Sequence, residues 1–219
     1  MIAKTLVSNE IIPLRTSDSG NEALSIMNEF GVRHLPIVNN KQLLGLISED
    51  DILNFDVEEA VGSYKLSITR PYVKSSDHLY EVLRLVSDHR LTTIPVVDDE
   101  NQYLGLISQE DLLRFFSSIG SIKEPGSIIV LEMGKRDYSL AQLARIVESE
   151  NAVILSSFIT SDINSTQIDV TLKINRPEIH NLIASFERFD LHVKASFQEA
   201  TYFDTLKDRF DSLMSYLNV

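Results

Sequence analysis

The sequence of 219 residues predicts an α+β protein, in which two copies of a βαββα unit precede a βαββαβ unit and a final helix. Three observations predict this class. Residues 17–38 can be laid over residues 76–97, helical and strand-like apolar patterns alternate along the chain, and a Lys-Glu-Pro-Gly cluster at 123–126 sets off the last third. The expected domains are residues 1–60, 61–122, 126–200 and a C-terminal helix over 201–219.

The internal repeat has a nearly constant offset. Pro36 lies over Pro95, 59 residues later, and the Leu-Pro-Ile-Val segment 35–38 lies over Ile-Pro-Val-Val at 94–97. One residue inserted in the following turn changes the offset to 60, so that Leu-Gly-Leu-Ile-Ser at 44–48 lies over the same five residues at 104–108. One copy alone cannot bury its sheet, so we expect the two copies to pack together, related by a pseudo-twofold axis.

The first copy begins with a lead-in strand at 11–14. Asp18 is expected to cap a helix, which Gly31 ends in the left-handed conformation. Strands at 34–38 and 43–47 then form a hairpin, and Ser48 caps a second helix. The helix is predicted from apolar residues at three- and four-residue steps, namely Ala23, Leu24, Met27 and Phe30.

The second copy repeats this order. It is expected to have a lead-in strand at 72–73, a helix over 79–89, strands at 93–97 and 103–107, and a helix over 109–116. Arg90 occupies the position where the first copy has its stop glycine.

The last third predicts strands and helices in the order βαββαβ, the ferredoxin-like arrangement. The expected ranges are strand 127–133, helix 140–149, strands 153–159 and 167–174, helix 178–189 and strand 191–197. A final amphipathic helix would either cover a face of this domain or pack on a second protomer. Its apolar stripe consists of Phe203, Leu206, Phe210, Leu213 and Leu217.

Composition excludes several classes of function. A net charge of −12 and a pI near 4.8 oppose binding to nucleic acid. The chain has no cysteine, which fits a reducing cytoplasm, and no apolar run of the roughly 18 residues that a membrane helix needs. The histidines lack the spacing of a metal site, and the sequence has no phosphate-loop or nucleophile-elbow motif, so we expect neither a metal nor an enzyme.

The repeated pattern resembles a known family. A strand that begins with X-Pro, followed by Leu-Gly-Leu-Ile-Ser with an aspartate three residues after the serine, is similar to the CBS repeat. The resemblance implies two clefts that bind AMP, ADP, ATP or S-adenosylmethionine. In them, Asp51 and Asp111 would accept hydrogen bonds from ribose hydroxyls, and Ser48 and Ser108 would face phosphate.

The resemblance also implies further contacts. The backbone at Leu35-Pro36 and Ile94-Pro95 would meet the adenine edge. Arg33, Arg70 and Arg90 are candidates to hold phosphate. The apolar walls would be Ile12, Ile37 and Val96. A purely structural interpretation also stays open, since Ser-x-x-acid is a helix capping box and X-Pro is common at strand edges.

The last domain resembles an ACT domain, although residues 137–140, Asp-Tyr-Ser-Leu, lack the glycine of that family's Asp-x-x-Gly loop. The order CBS, CBS, ACT is similar to that of the acetoin-utilisation regulatory proteins. The implied function is an adenosyl-ligand sensor that needs no cofactor and signals as a homodimer or to an unidentified protein. The alternatives are a constitutive dimerisation scaffold with vestigial clefts and an amino-acid sensor acting through the ACT-like domain.

Overall fold

The computed structural model describes residues 1–64, 71–162, 165–198 and 212–216, and the chain divides into two compact units, Met1–Ser117 and Ser118–Val219. The first unit contains α1 (Gly20–Phe30), β1 (His34–Asn39), β2 (Gln42–Ser48), α2 (Glu49–Leu53), β3 (Val73–Lys74), α3 (Leu79–Asp88), β4 (Thr93–Val97), β5 (Tyr103–Ser108) and α4 (Gln109–Ser118), whose last residue lies across the division. The predicted succession of helices and hairpins in both copies is therefore confirmed.

Helix α1 begins one residue later than the sequence suggested. Ser19 is the N-cap, with its Oγ accepting from Glu22 N at 3.2 Å and the Glu22 carboxylate accepting from Ser19 N at 2.7 Å. The predicted cap, Asp18, instead accepts from the backbone N of Arg15 at 2.8 Å and shapes the preceding turn. The cap at Asp18 was wrong because only Ser19 stands three residues before a glutamate, the spacing of a capping box.

The ends of the two long helices follow the repeat. Gly31 has φ 63° after α1, as predicted, and its amide donates to the Met27 carbonyl. Arg90, its counterpart after α3, has φ 52°. The second copy thus makes the same left-handed stop with a residue for which that conformation is costly.

The sheets of the first unit are small. Strands β1 and β2 form an antiparallel pair, and β3, β4 and β5 form a three-stranded sheet in that order. The lead-in strands are shorter than expected. Leu14 makes a single parallel bridge to Ile37, and the equivalent Val73 pairs with Val96 within two-residue β3. A strand over 11–14 is therefore not formed.

The two copies share their cores. Leu46 of β2 packs in the apolar cluster of the second copy, with Val73 and Ile94 among its members. Its equivalent, Leu106 of β5, packs in the cluster of the first copy. The N-terminal segment also crosses over, since Ser8 exchanges backbone hydrogen bonds with Leu106 at 2.8 and 3.2 Å. Each copy is completed by residues of the other.

The second unit has the predicted βαββαβ order. After α5 (Gly120–Lys123) its elements are β6 (Ser127–Gly134), α6 (Leu140–Ser149), β7 (Ile154–Thr160), β8 (Gln167–Ile174), α7 (His180–Arg188) and β9 (His192–Phe197). The strands lie in the order β7-β8-β6-β9, and all neighbours are antiparallel. Helix α7 begins at His180, two residues later than predicted, with Ile179 as its N-cap.

The two faces of this sheet differ. Alternate residues of β6 and β8, including Ile129 and Leu172, are fully buried in a core that also contains residues of α6 and α7. The opposite face carries Ile128, with Phe197 paired across from it, and Phe158 on β7. Phe158 and Phe197 are 56% and 59% exposed. This face thus carries exposed aromatic side chains beside a charged patch, in which Lys194 pairs with Glu132 and Asp169.

Most of the predicted C-terminal helix lies outside the described residues, including Phe203, Leu206, Phe210 and Leu217. Residues 212–216 are helical, and Leu213 is exposed. In the part of the chain that is described, no helix has the length and apolarity needed to cross a bilayer.

Candidate functional site

The two copies meet at equivalent residues. Arg33 and His34 of the first copy are related by the repeat to Thr92 and Thr93 of the second. Arg33 N donates to Thr92 Oγ1 at 2.8 Å, Thr93 Oγ1 donates to the His34 carbonyl at 2.7 Å, and Thr92 N donates to His34 Nδ1 at 3.2 Å. This junction joins the N-terminal end of β1 to that of β4.

The His34 imidazole is held neutral by this arrangement. Because Nδ1 accepts from a backbone N–H, the proton of the neutral ring must be on Nε2. Burial lowers the pKa of His34, and the positive charge of Arg33 lowers it further. The negative charges of Asp51 and Asp50 act in the opposite direction. The net direction is downward, so the junction favours the uncharged ring.

Two cavities of very different size flank the junction. The larger has a volume of about 680 Å³ and is lined by Arg33, His34, Ser48, Glu49, Asp50, His89, Arg90, Thr92 and Gln109. The smaller has a volume of about 100 Å³ and is lined by Ser8, Glu10, Ile11, Phe30, Gly31, Val32, Thr92, Ser108, Gln109, Glu110, Asp111 and Arg114. Each contains the serine of one Leu-Gly-Leu-Ile-Ser segment, so they are the two clefts of the repeat, hereafter the larger and the smaller cleft.

The Ser-x-x-Asp pairs form closely similar capping boxes. Asp51 Oδ2 accepts from Ser48 Oγ at 2.6 Å and from Ser48 N at 3.1 Å, while Asp51 N donates to Ser48 Oγ at 3.0 Å. For Asp111 and Ser108 the same three distances are 2.7, 2.9 and 3.0 Å. Each carboxylate thus holds the start of a helix through Oδ2, as the structural interpretation of the motif required.

The predicted polar residues divide between the clefts. Arg33, Ser48 and Arg90 line the larger cleft, and Ser108 and Asp111 line the smaller. Asp51 is only 7% exposed and does not line the larger cleft. Asp111 Oδ1 lies 3.8 Å from Arg114 Nη1, so its second oxygen faces a cation. Arg70 lies outside the described residues.

The predicted apolar and backbone contacts fit less well. Ile37 and Val96 are 2% and 0% exposed and lie within the two cores, where they have no surface to offer a ligand. Ile12 is 69% exposed, and its neighbour Ile11 lines the smaller cleft instead. The wall roles of Ile12, Ile37 and Val96 are therefore not met in this structure.

The X-Pro segments are also part of the sheets. Leu35 and Ile94 are fully buried, and Pro36 and Pro95 are buried as well. The Pro36 carbonyl oxygen accepts a hydrogen bond from Leu14 N at 2.9 Å, so it is already bonded to the lead-in segment. None of these four residues lines either cleft.

Several lining residues were missed from the sequence. Thr92 and Gln109 line both clefts, and His89 lines the larger. Thr92 could have been predicted, because it is equivalent in the repeat to Arg33, which was predicted to line a cleft. Ser8 and Glu10 had no such signal, because their position depends on pairing with the second copy.

Among the residues described, no group of three or more histidines, aspartates or glutamates is arranged to hold a metal ion. The clefts instead offer hydroxyl groups, carboxylates and guanidinium groups, which recognise polar organic ligands by hydrogen bonding and charge.

Comparisons with solved structures give fold matches over about half of this chain. A CBS domain pair/ACT domain protein from Thermotoga maritima is 24% identical with a TM-score of 0.48, covering 53% of this chain and 96% of that protein. A Vibrio cholerae protein assigned to acetoin utilization is 21% identical with a TM-score of 0.49, covering 56% and 95%. CBSX2, solved in complex with AMP, is 21% identical with a TM-score of 0.47, covering 54% and 97%.

Among curated proteins, an inosine-5'-monophosphate dehydrogenase of Methanocaldococcus jannaschii is 26% identical over 153 residues, which are 68% of this chain and 30% of the enzyme. A homoserine O-acetyltransferase of Methanocorpusculum labreanum is 29% identical over 119 residues, 51% of this chain and 23% of the enzyme. The similarity thus spans less than a third of either enzyme.

The CBS domain family model matches residues 3–58 and 61–118, which together are just over half of the chain. The matched segments carry the two Ser-x-x-Asp caps and most of the residues that line both clefts. The chain belongs to the CBS domain family.

Proposed function

We propose that this protein is a cytoplasmic regulatory module that binds an adenine nucleotide between its CBS repeats and passes the bound state to its oligomer or to a protein partner. It is not an enzyme in this proposal. CBS pairs as a family bind adenosyl ligands, which supports this assignment. The observation that carries it is the larger cleft.

The size and chemistry of the larger cleft suit a nucleotide. Its volume of about 680 Å³ falls within the roughly 300–1,000 Å³ that small-molecule sites occupy. Arg33 and Arg90 supply fixed positive charge toward phosphate, and Ser48 and Thr92 supply hydroxyl groups. A ligand bound here would contact both copies. If the two copies can adopt two arrangements, the ligand shifts the equilibrium toward the one that it binds more tightly, by the difference between its two binding free energies.

The proposal is tested by thermal denaturation of the full chain with AMP, ADP, ATP, S-adenosylmethionine and a set of free amino acids. A ligand at 100 times its Kd adds about 2.7 kcal/mol to the free energy of unfolding, which raises Tm by about 5–10 °C. A shift with an adenine nucleotide is expected. A shift with amino acids alone would favour the ACT-like sensor, and no shift with any compound would leave only the scaffold.

The ribose role of the aspartates is tested with Asp51→Asn and Asp111→Asn. Each keeps an oxygen that can accept from the cap serine but loses the charge. Loss of a charged hydrogen-bond partner costs about 1.5–3 kcal/mol, so Asp51→Asn, in the copy whose Ser48 lines the larger cleft, should lower the affinity for AMP about 10- to 150-fold. Titration calorimetry that finds wild-type affinity in both variants would remove the aspartates from the site.

We also infer that the second unit is an ACT-like domain and that it mediates homodimer formation. Two exposed aromatic side chains on the outer face of its sheet, Phe158 on β7 and Phe197 on β9, support this, because aromatic residues are enriched at protein interfaces. Amino-acid binding has less support, since the loop at 137–140 lacks the family's glycine.

A further inference from the structure

We propose that only the larger cleft binds a phosphate-bearing ligand, and that Arg90 supplies the cation that contacts the phosphate. This inference rests on the proposed function. It adds which of the two clefts is used and what class of ligand that cleft selects.

The two clefts differ in charge. In the smaller cleft, Glu10, Glu110 and Asp111 stand against one cation, Arg114, which leaves a formal charge of −2. In the larger cleft, Arg33 and Arg90 balance Glu49 and Asp50, and two histidines are added. A phosphate dianion entering the smaller cleft would therefore meet excess negative charge at close range, where solvent screens it least.

Arg114, the cation of the smaller cleft, is already paired with carboxylates. Arg114 Nη2 donates to Glu110 at 2.7 Å, and its Nη1 lies 3.8 Å from Asp111. The hydrogen bond to Glu110 raises the pKa of Arg114, as expected for a guanidinium stabilised by its partner. Binding phosphate there would require this pair to separate.

Arg90 is placed differently. It lines the larger cleft, and no carboxylate among the described residues lies within ion-pair distance of it. Arg33, the other arginine there, makes a loose pair with Glu49 at 3.7 Å, and the Arg33 side chain is largely exposed. Arg90 is thus the cation of the larger cleft that can bind an anion without giving up a partner.

The repeat shows that this difference is encoded at one pair of positions. Where the second copy has His89 and Arg90, the first copy has Phe30 and Gly31, and these four residues line opposite clefts. Arg90 also keeps the left-handed φ of 52° that suits glycine. The chain therefore carries an arginine at a strained stop position, where it faces the larger cleft.

The volumes of the two clefts also favour the larger one as the nucleotide site. The smaller cleft, at about 100 Å³, falls below the roughly 300–1,000 Å³ that small-molecule sites occupy, whereas the larger, at about 680 Å³, lies within this range. Charge and volume thus both direct a nucleotide to the larger cleft.

The test is titration calorimetry of the full chain with AMP and with adenosine, which lacks the phosphate. We expect one AMP per chain. Arg90→Gly should weaken AMP binding by about tenfold or more while leaving adenosine within about twofold, since only the phosphate contact is lost. The Tm of the unliganded variant should not fall, because glycine suits this φ and Gly31 already occupies the equivalent position.

The matched control is Arg114→Gln, which removes the cation of the smaller cleft and should leave AMP affinity within about twofold. Two AMP per chain, a loss of AMP binding in Arg114→Gln, or equal losses of AMP and adenosine in Arg90→Gly would each overturn the inference while the proposed function stands. Failure of both compounds to bind the wild-type chain would overturn the proposed function as well.

Discussion

His34 links its protonation state to the contact between the two CBS copies. Its Nδ1 accepts from Thr92 N at 3.2 Å and lies 3.1 Å from Thr92 Oγ1, and a proton on Nδ1 would end the hydrogen bond from Thr92 N. Asp50 and Asp51 favour the charged ring, whereas burial and Arg33 disfavour it more strongly. A charged His34 therefore weakens the junction.

The sign of the resulting pH dependence follows from the lowered pKa. The unfolded chain, with a histidine pKa of about 6.5, binds a proton at a higher pH than the folded protein does. The contribution of His34 to stability is thus complete above that pH and is lost as the pH falls toward the folded pKa. We expect the free energy of unfolding, measured with urea, to decline as the pH falls below about 6.5, the histidine pKa of the unfolded chain.

His34→Asn isolates this contribution, because the amide oxygen can accept from Thr92 N but does not titrate. The variant should show a shallower decline over the same pH range, whereas carboxylates and the other histidines affect both proteins equally. Parallel pH profiles for wild type and variant would show that the junction does not depend on the charge of His34.

At the scale of the element, strand β5 requires a glycine where the N-terminal segment crosses it. A Cβ on Gly105 would lie 2.5 Å from Val7 Cγ1, 2.7 Å from Asn9 Oδ1 and 2.8 Å from the Ser8 carbonyl oxygen. The last contact is with backbone, so a side-chain rotation cannot relieve it. Gly105 thus allows the close approach through which Ser8 and Leu106 exchange hydrogen bonds.

Gly105→Ala should therefore destabilise the first unit by about 1–3 kcal/mol, the usual cost of overpacking. Hydrogen exchange would locate the damage, since the amides of Ser8 and Leu106 should lose protection before those of α1. Unchanged exchange at both amides would mean that the N-terminal segment adapts to the added methyl group without leaving the strand.

Elements were predicted well wherever their cause is local. The bounds of α6 and β8 agree with the sequence to the residue, because apolar periodicity and flanking turns specify them. The cap of α1 could also have been found, since Ser19 and Glu22 have the capping-box spacing. The lead-in strand at 11–14 could not, because its length depends on how far Leu14 pairs with a strand of the same copy.

The residues of the clefts were likewise predicted where a local pattern specifies them and missed where it does not. Ser48, Ser108 and Asp111 were identified because the motif that contains them repeats. Glu10 was not, because it reaches the smaller cleft through a crossover that no local pattern reports. Ile37 and Val96 were misplaced because alternation along a strand tells which residues share a face but not which face a ligand approaches.

For the whole molecule, the open sheet face of the second unit predicts self-association. Replacing Phe158 with lysine places a charge on the outer face of the sheet, at edge strand β7, which should shift the protein toward monomer in light-scattering measurements at micromolar concentration. Phe189→Lys is the matched control, because Phe189 is equally exposed, at 56%, but follows α7 rather than lying on the sheet. Equal effects of both substitutions, or of neither, would contradict a dimer built on this face.

The reciprocal placement of Leu46 and Leu106 has a consequence for the order of folding. A nascent chain that has emerged through Tyr64 contains every residue of the first copy, yet the apolar cluster of that copy still lacks Leu106. The second cluster likewise includes Leu46, which belongs to the first copy. Each core therefore depends on contacts between the two copies, which are distant in sequence, and contacts of this kind slow folding because a long loop must close first.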